Sequence, residues 1–450
     1  PADYSRSNDV SVGLILMQMP ERGKPNKARD GAPPFPPTIL TAILGPRNLS
    51  TPPPRTKNRM TLLRYVRPMG IYETLYAFME AFGTYMGEAG THPWSQGFPR
   101  TVQLPGGPEL PSSVQVSSDD LRYPKAWGMP ALRTAIADYY NTWYGSSLAP
   151  ENVMVFAGGR PAIIATLLFL DPAVTVRIAE TEYTPYYDML EGLGRPYTLV
   201  SSGESNGFRP TVDDYLDDSD GKGLVLVSNP CNPTGQTRTE DELQAFVDLA
   251  RSGRMGVLVD EAYELFHTNP VSALAYVDDI DDSDLFVIGA ATKGLQAPGI
   301  RVGWLISSRQ NVEILSNFSS FGMGGVSHPS QRYALELFGR ERIELARKAV
   351  PAFYSSQRDR YGEAFEKLGL ELWSGDGGFY HWCKLSGGMT AAELNEGLFK
   401  KGAAVLKGTD CDMARRGDES PLSSFFRFSF GPLHPDDFDS DVEIMRAALG

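Results

Sequence analysis

The sequence predicts an α/β protein in which a mainly parallel sheet is covered by helices on both faces and a smaller α+β section follows. Three observations lead there. Between residues 153 and 289 short apolar runs bounded by turn residues alternate with helical stretches, which is the βαβ rhythm of a buried parallel sheet. After about residue 310 long helices dominate, through Ala352 to Leu368. The chain then returns to strands near Gly378 to Lys384 and Ser424 to Phe430, mixed with helix.

The elements follow in order. Residues 1–60 hold 11 of the 34 prolines, too many for helix, and lack strand alternation, so an extended arm is expected. That arm reads either as a loose tail or as a strap draped over a neighbouring subunit, the second because Val12 to Met17 is too apolar to leave in water. From Met60 to about Met86 the residues Leu63, Val66, Ile71, Leu75, Phe78, Met79 and Phe82 recur near helical spacing, with a break signalled by Pro68 and Gly70. A loop rich in Gly and Pro runs through Pro111, and a helix follows from Met129 to Tyr144 with Pro130 in its first turn. Strands are expected at Val153 to Ala157, Val174 to Ile178, Gly223 to Val227, Gly256 to Val259 and Leu285 to Gly289, with a helix over Thr239 to Arg251. There is no internal repeat.

Composition narrows the function. The 450 residues are 42% hydrophobic and 22% charged, ordinary for a globular chain of about two or three domains. A net charge of −13 excludes nucleic acid as a main partner, since phosphate binding needs a basic face. The charge is uneven: residues 1–60 carry nine Lys/Arg against four Asp/Glu. Three cysteines without a CxxC pair favour a reducing, cytoplasmic setting. Five histidines without metal-ligand spacing give no metal site. The longest apolar candidate, Ala162 to Leu170, is nine residues, half of the roughly 18 needed to span a bilayer, so no membrane partner is expected.

Several motifs carry chemistry. The string Ser228-Asn229-Pro230-Cys231-Asn232-Pro233-Thr234-Gly235 stands directly after a buried strand. Asp260 ends the run Val257-Leu258-Val259, with Tyr263 three residues on, at the sheet edge where open α/β folds bind ligands. Lys293 lies in a small, Gly-rich loop after an apolar strand, and Arg301 follows eight residues later. Gly158-Gly159-Arg160-Pro161 joins a strand to a helix start, where free N–H groups and the helix dipole favour an anion. Arg427, set among Phe425, Phe426, Phe428 and Phe430, needs an anion of its own, and its planar fork matches a carboxylate.

With these residues the sequence resembles the class I/II aminotransferase family, the fold type I pyridoxal-phosphate enzymes, whose Asn-Pro-x-Asn-Pro-Thr-Gly motif it matches fully. The resemblance covers about residues 94–450. It implies the aminotransferase-like fold, with 61–120 supplying a helix and loop to a small domain, 121–340 a large cofactor-binding domain and 341–450 a C-terminal small domain. It also implies pyridoxal 5′-phosphate as cofactor. Lys293 would then be the Schiff-base lysine and the base for the substrate's Cα proton. Asp260 would pair with the ring nitrogen, keeping it protonated, and Tyr263 with the ring's phenolic oxygen. Tyr183 would stack on the ring, with Tyr186 and Tyr187 as alternatives. Gly158, Gly159, Arg160, Thr292 and Arg301 would serve the phosphate, and Asn232 both cofactor and substrate.

For the substrate, an amino acid, the resemblance implies Arg427 at the α-carboxylate and Gly97 in a loop beside it. Tyr123, in Tyr123-Pro124-Lys125-Ala126-Trp127-Gly128, resembles the tyrosine that reaches the phosphate of a partner subunit, which implies a homodimer with shared sites. Four departures stand out: Ala290 where the family often has serine, Thr181 for proline, Lys407-Gly408 for Pro-Gly, and a charged segment from Thr409 to Pro421. The function expected is amino-group transfer. The alternative, prompted by those departures, is a specialised biosynthetic enzyme of the same fold catalysing elimination, replacement, carbon–carbon bond formation or oxidation of an amino acid.

Overall fold

A computed structural model describes residues 70–216 and 222–450. The proline-rich arm and the first part of the helix expected from Met60 lie outside the described residues. The rest of that helix is α1, Gly70–Phe82. Its Leu75 and Phe78 are buried against Ala404 and Phe399 of the later part of the chain. The helix α2, Pro130–Tyr144, starts with proline at a position that needs no N–H partner and stops at Gly145 in the left-handed region.

The βα rhythm then unfolds as expected: β1 (Val153–Phe156), α3 (Gly159–Phe169), β2 (Thr175–Ala179), α4 (Pro185–Leu193), β3 (Tyr197–Val200), β4 (Gly223–Ser228), α5 (Glu240–Arg251), β5 (Met255–Asp260), β6 (Leu285–Ala290) and β7 (Gly303–Ile306). They form a seven-stranded sheet in the order β1-β7-β6-β5-β4-β2-β3. Strand β7 runs antiparallel to both neighbours, and the other pairs are parallel. Alternate side chains divide between two cores. Val225, Val227, Val257, Val259, Val287 and Ile306 face α2 and α5 residues such as Ile136 and Phe246. Leu224, Leu226, Leu258, Ile288 and Leu305 face α3 and α4 residues such as Ile163 and Leu190. Strands buried on both faces read as unbroken apolar runs because each face has its own helical cover.

Helices follow: α6 (Arg309–Phe318), α7 (His328–Leu337) and the 28-residue α8 (Arg340–Lys367), which keeps Pro351 inside it. A second, antiparallel sheet is built from β8 (Glu371–Leu372), β9 (Tyr380–Lys384), β10 (Leu406–Lys407) and β11 (Phe425–Ser429), in the order β10-β11-β9-β8. The helices α9 (Ala391–Phe399) and α10 (Phe438–Leu449) complete the chain. Arg427 pairs with Trp382 and Ser429 with Tyr380, so Arg427, Trp382 and Tyr380 share one face. Phe428 takes the other face, at 4.7 Å from Phe365 and 5.0 Å from Tyr361 of α8.

Two strands of the large sheet, β3 and β7, were not expected from the sequence. In β3 only Val200 is buried, so an edge strand carries no apolar run to notice. In β7 the run Gly-Trp-Leu-Ile continues directly from the motif around Arg301 and is hidden by it.

The approach of β7 to the start of α3 is close. A Cβ on Gly303 would stand 2.5 Å from the Gly158 carbonyl carbon and 2.6 Å from the Gly159 nitrogen. Backbone cannot swing aside as a side chain can. Gly303→Ala should therefore lower unfolding stability by about 1–3 kcal/mol, as overpacking does, read from the urea midpoint at unchanged m-value.

Candidate active site

The site gathers at the carboxyl edge of the large sheet, where β4 and β5 end level and β6 runs two residues further. Asp260 is the last residue of β5, and alternation puts it on the face of Leu258, under α3 and α4. Tyr186 of α4 donates its hydroxyl to Oδ2 at 2.7 Å, and the Ala262 N–H donates to Oδ1 at 3.0 Å. Burial nonetheless holds the carboxyl above its ordinary pKa, those donors and the Lys293 charge pulling the other way. A buried acid so placed gains most from a cationic N–H partner.

Lys293 hangs in the loop between β6 and β7. Its ammonium donates to the Gly97 carbonyl and lies over the rings of Tyr263, at 5.6 Å, and Phe379, at 5.8 Å. Burial first, then the Arg160 and Arg427 charges, bring its pKa down to about 7. At neutral pH a large share of such an amine is unprotonated and nucleophilic.

An anion cradle flanks the pair. Gly158 precedes α3 with φ of 105°, and no side chain caps the helix, leaving N–H groups of its first turn for a ligand. The Arg301 guanidinium lies against Gly158, where a Cβ would collide with it. Arg301 itself is held at φ 55°, a left-handed backbone uncommon outside glycine. Its Nη1 donates to the Pro298 carbonyl at 2.9 Å. A cavity of about 370 Å³ opens between Gly159, Arg160, Tyr183, Asn232, Asp260 and Tyr263 on one side and Thr292, Lys293 and Arg301 on the other.

A second cavity of about 220 Å³ adjoins it, sharing Arg160, Tyr183, Asn232, Tyr263 and Lys293 and adding Gly97, Tyr380 and Arg427. Arg427 is buried; it donates from Nη1 to Asn232 Oδ1 at 2.8 Å and from Nη2 to the Ser95 carbonyl at 2.7 Å. Its guanidinium lies 4.2 Å over the Tyr380 ring, and its Nε meets no acceptor among the described residues. Arg160 donates from Nε and Nη2 to the Tyr183 hydroxyl at 2.8 and 2.5 Å. α1 lends Ile71, Tyr72 and Leu75 to the wall.

Of the residues expected from sequence, Gly159, Arg160, Tyr183, Asn232, Asp260, Tyr263, Thr292, Lys293 and Arg301 line one cavity, and Gly97 and Arg427 the adjoining one. Gly158 borders the first through Arg301. Tyr123 is 93% exposed and lines neither. Tyr186, a ring-stacking alternative in the sequence, lines the first cavity and donates a hydrogen bond to Asp260.

Three residues went unnoticed in the sequence. Tyr380 shares a 2.5 Å hydrogen bond with Tyr263. Ser95 supplies a carbonyl to Arg427. Glu182 accepts from the Ser228 N–H at 3.0 Å and hydroxyl at 2.6 Å and from the Tyr183 N–H at 3.0 Å, with burial raising its pKa to about 7. Only the Glu-Thr-Glu-Tyr string after β2 hinted at it.

The departures have a structural setting. Thr181 donates its hydroxyl to the Ser202 carbonyl at 3.1 Å and bridges to Asp412. The Met413 N–H donates to the Glu180 carbonyl at 2.8 Å. The charged segment after Lys407 is thus docked on the end of β2, with Asp410 accepting from Thr74 of α1 at 3.4 Å.

These groups suit one cofactor. A carboxylate awaiting a cationic N–H, a phenol, a nucleophilic amine and a helix-start anion cradle fit the ring nitrogen, ring oxygen, aldehyde and phosphate of pyridoxal phosphate. The aminotransferase class I and II model matches residues 100–439. The LL-diaminopimelate aminotransferase of Dehalococcoides mccartyi is 24% identical over 318 residues, covering 68% of this chain and 81% of that protein. The valine–pyruvate aminotransferase of Mycobacterium tuberculosis is 27% identical over 343 residues, covering 73% and 84%. The fold is that of a Thermus thermophilus aspartate aminotransferase mutant, with a TM-score of 0.71 at 20% identity over 87% of this chain and 100% of that one. The chain belongs to the class I and II aminotransferase family, and with it come pyridoxal phosphate and amino-group transfer. Relatives named as aminotransferases do not favour the elimination, replacement or oxidation alternative.

In cofactor-free protein, acetylation of Lys293 by dilute acetic anhydride should rise with pH and reach half its maximum near pH 7, where an ordinary lysine does so near ~10.4. Mass spectrometry of the Lys293 peptide reads this. Below pH 7 the amine is protonated and the rate falls; a midpoint near that of ordinary lysine would show the arginines and burial to be ineffective.

Proposed function

We propose that this chain is a homodimeric aminotransferase in which Lys293 carries out the proton transfers and Arg427 holds the substrate's α-carboxylate. The observation that carries the reading is the position of Lys293, which lines the cavity of Asp260 and the cavity of Arg427 at once. Gly158, Gly159, Arg160, Thr292 and Arg301 would hold the cofactor's phosphate end, Asp260 its ring nitrogen, Tyr263 and Asn232 its ring oxygen, and Tyr183 its face. Bound there, pyridoxal phosphate supplies an electron-withdrawing ring that takes up the electron pair left when the substrate's α-carbon loses its proton.

The chain's own residues do the rest. Arg427 is fixed by Asn232 and the Ser95 carbonyl, so its fork meets a carboxylate without reorganising. The Lys293 amine, with a pKa of about 7, would take the proton from the substrate's α-carbon and carry it between substrate and cofactor. Asp260, kept dry under α3 and α4, would hold a positive charge at the ring nitrogen. Tyr186 orients Asp260, and Tyr380 orients Tyr263.

The dimer reading rests on one surface. Leu121, Tyr123 and Phe321 are 82%, 93% and 68% exposed. The segments that carry them adjoin: the Ser319 hydroxyl donates to the Ala126 carbonyl at 2.8 Å, and Gly325 abuts Pro124. Such an apolar face fits a second copy of the chain, across which Tyr123 would reach the other site. The division into a large domain at 121–340 and small-domain pieces at 61–120 and 341–450 is supported by α1 packing on α9. A cytoplasmic location is supported by Cys231, Cys383 and Cys411, all buried and free.

Purified holoenzyme should be yellow and pass an amino group from an amino acid to 2-oxoglutarate or pyruvate. Lys293→Ala should abolish turnover, and Asp260→Asn should cut kcat by about 10²–10³. Arg427→Gln should cost about 2–5 kcal/mol in kcat/KM, carried mainly by KM. Products are followed by chromatography; 2-oxo acids that accept no amino group from any amino acid would overturn the reading. Phe321→Glu should yield a monomer by light scattering and lose most activity, whereas an unchanged mass would refute the dimer surface.

A further inference from the structure

The stretch of chain that offers the Ser95 and Gly97 carbonyls to the site is tied down from two sides. On one side stand β11, the turn after it and α8. The Ser429 N–H donates to the Trp94 carbonyl at 2.8 Å, and Arg427 Nη2 to the Ser95 carbonyl at 2.7 Å. The Arg100 N–H donates to the Tyr354 hydroxyl at 3.0 Å, and its Nη1 to the Leu433 carbonyl at 2.9 Å. On the other side stands the loop between β6 and β7. Lys293 donates to the Gly97 carbonyl. Three residues on, Gln296 Nε2 donates to the Arg100 carbonyl at 2.7 Å and to the Val102 carbonyl at 2.8 Å.

Glutamine is an unusual choice for that place. Its backbone is held at φ 55°, in the left-handed region that glycine takes freely and a residue with a long side chain does not. The turn around it is fixed: the Gln296 N–H donates to the Lys293 carbonyl at 2.9 Å, and the Ala297 N–H to the Ala291 carbonyl at 3.0 Å. The side chain is only 3% exposed. Its NH2 has two hydrogens, and each meets a backbone carbonyl of the same neighbouring loop. A strained conformation persists where the surrounding structure fixes it, and here it delivers a double tie. Gln296 lines neither cavity, so it touches neither substrate nor cofactor.

We propose that Gln296 is a positioning residue that fastens the substrate loop, residues 95–102, to the loop of Lys293, so that the reacting amine and the carboxylate anchor keep a fixed separation. This rests on the roles proposed above for Lys293 and Arg427. The coupling runs through carbonyls: Gly97 meets the amine, Ser95 meets Arg427, and Gln296 grips the chain just beyond both. Released at Arg100 and Val102, the loop would still hang from β11 and α8 but would no longer be pressed onto the loop of Lys293. Arg427 would keep its charge and lose its registration with the amine, and a misplacement of about 1 Å costs about 10²-fold in rate.

Gln296→Met tests this, since it keeps the length of the side chain and removes both donors. In cofactor-free protein, amide hydrogen exchange of the peptide spanning residues 94–104 should quicken by about tenfold or more, while β4 and β5 exchange as in the wild type. Acetylation of Lys293 should reach half its maximum at a higher pH than the wild type's value near 7, moving toward the ordinary ~10.4, because the loop that helps to bury the amine has loosened. In holoenzyme, kcat/KM for the amino donor should fall by about 10- to 100-fold. The affinity for pyridoxal phosphate, from titration of apoprotein, should change by less than about threefold, or under ~0.7 kcal/mol. Should Gln296→Met fail to fold, Gln296→Gly decides: glycine accepts the left-handed backbone without strain, and the same losses are expected.

Unchanged exchange at 94–104, or an unchanged midpoint for Lys293, would overturn the proposal. Faster exchange spread through β4 and β5, or a loss of cofactor affinity matching the loss of kcat/KM, would also overturn it and make Gln296 a residue of general stability. Failure of the underlying reading looks different: Lys293→Ala or Arg427→Gln would then keep wild-type turnover, while exchange of the loop still answered to Gln296→Met.

Discussion

The shared register of three parallel strands is the constraint on which the site depends. Ser228 pairs with Asp260, and Asp260 with Ile288. The ladder runs one step further, with the Asn229 N–H donating to the Asp260 carbonyl at 2.9 Å and the Glu261 N–H to the Ile288 carbonyl at 2.8 Å. The loop of Asn232 and the carboxylate of Asp260 therefore leave the sheet at one height, and β6 runs two residues further, to Ala290, before the loop of Lys293. A slip of one residue would turn Asp260 from the face of α3 and α4 to the face of α2 and α5. Tyr186, Lys293 and the start of α3 would then have no acid to meet. The apolar runs that make these strands also fix their register, because both faces are buried.

On that edge the molecule assembles an unusual density of positive charge. Arg160, Lys293, Arg301 and Arg427 share the two cavities with Asp260. Burial, and then repulsion among them, lowers the lysine's pKa, and that repulsion is relieved by anionic ligands. The arginines are spared mutual contact by carbonyls and phenols that hold each one separately: Pro298 for Arg301, Ser95 for Arg427 and Tyr183 for Arg160. Neutral acceptors steer the guanidiniums without discharging them, which keeps their charge available.

Much of this could be read in the sequence. The apolar runs gave five strands of the large sheet within a residue or two, and the motifs at Ser228–Gly235, Asp260 and Lys293–Arg301 name most of the cofactor cavity. These signals are local: a strand, its turn and a side chain at its end lie together in the chain. What escaped is non-local. Tyr186 matters because α4 crosses above β5, and its spacing says only that it is buried. Tyr380 matters because β9 pairs with β11, which sets it beside Arg427. Thr181 looked like a loss against the family pattern, but it meets Ser202 and Asp412, contacts that only the packed chain creates. The direction of Arg160 depends on a phenol 23 residues away, and a helix-start arginine alone is indistinguishable from a phosphate ligand.

The hydrogen bond from Arg427 to the Ser95 carbonyl has one more consequence. It joins residues 332 positions apart, and the Lys293 contact with Gly97 joins residues 196 apart. During synthesis the large sheet can close on itself once β7 has emerged. The substrate chamber cannot, because Arg427 on β11 arrives 121 residues after β7 ends at Ile306. Closing a loop of 332 residues carries an entropic cost that nearer contacts must first offset. The binding floor is thus an early product of folding and the substrate wall a late one. A nascent or C-terminally clipped chain would retain the residues that hold the cofactor while lacking the residue proposed to hold the substrate.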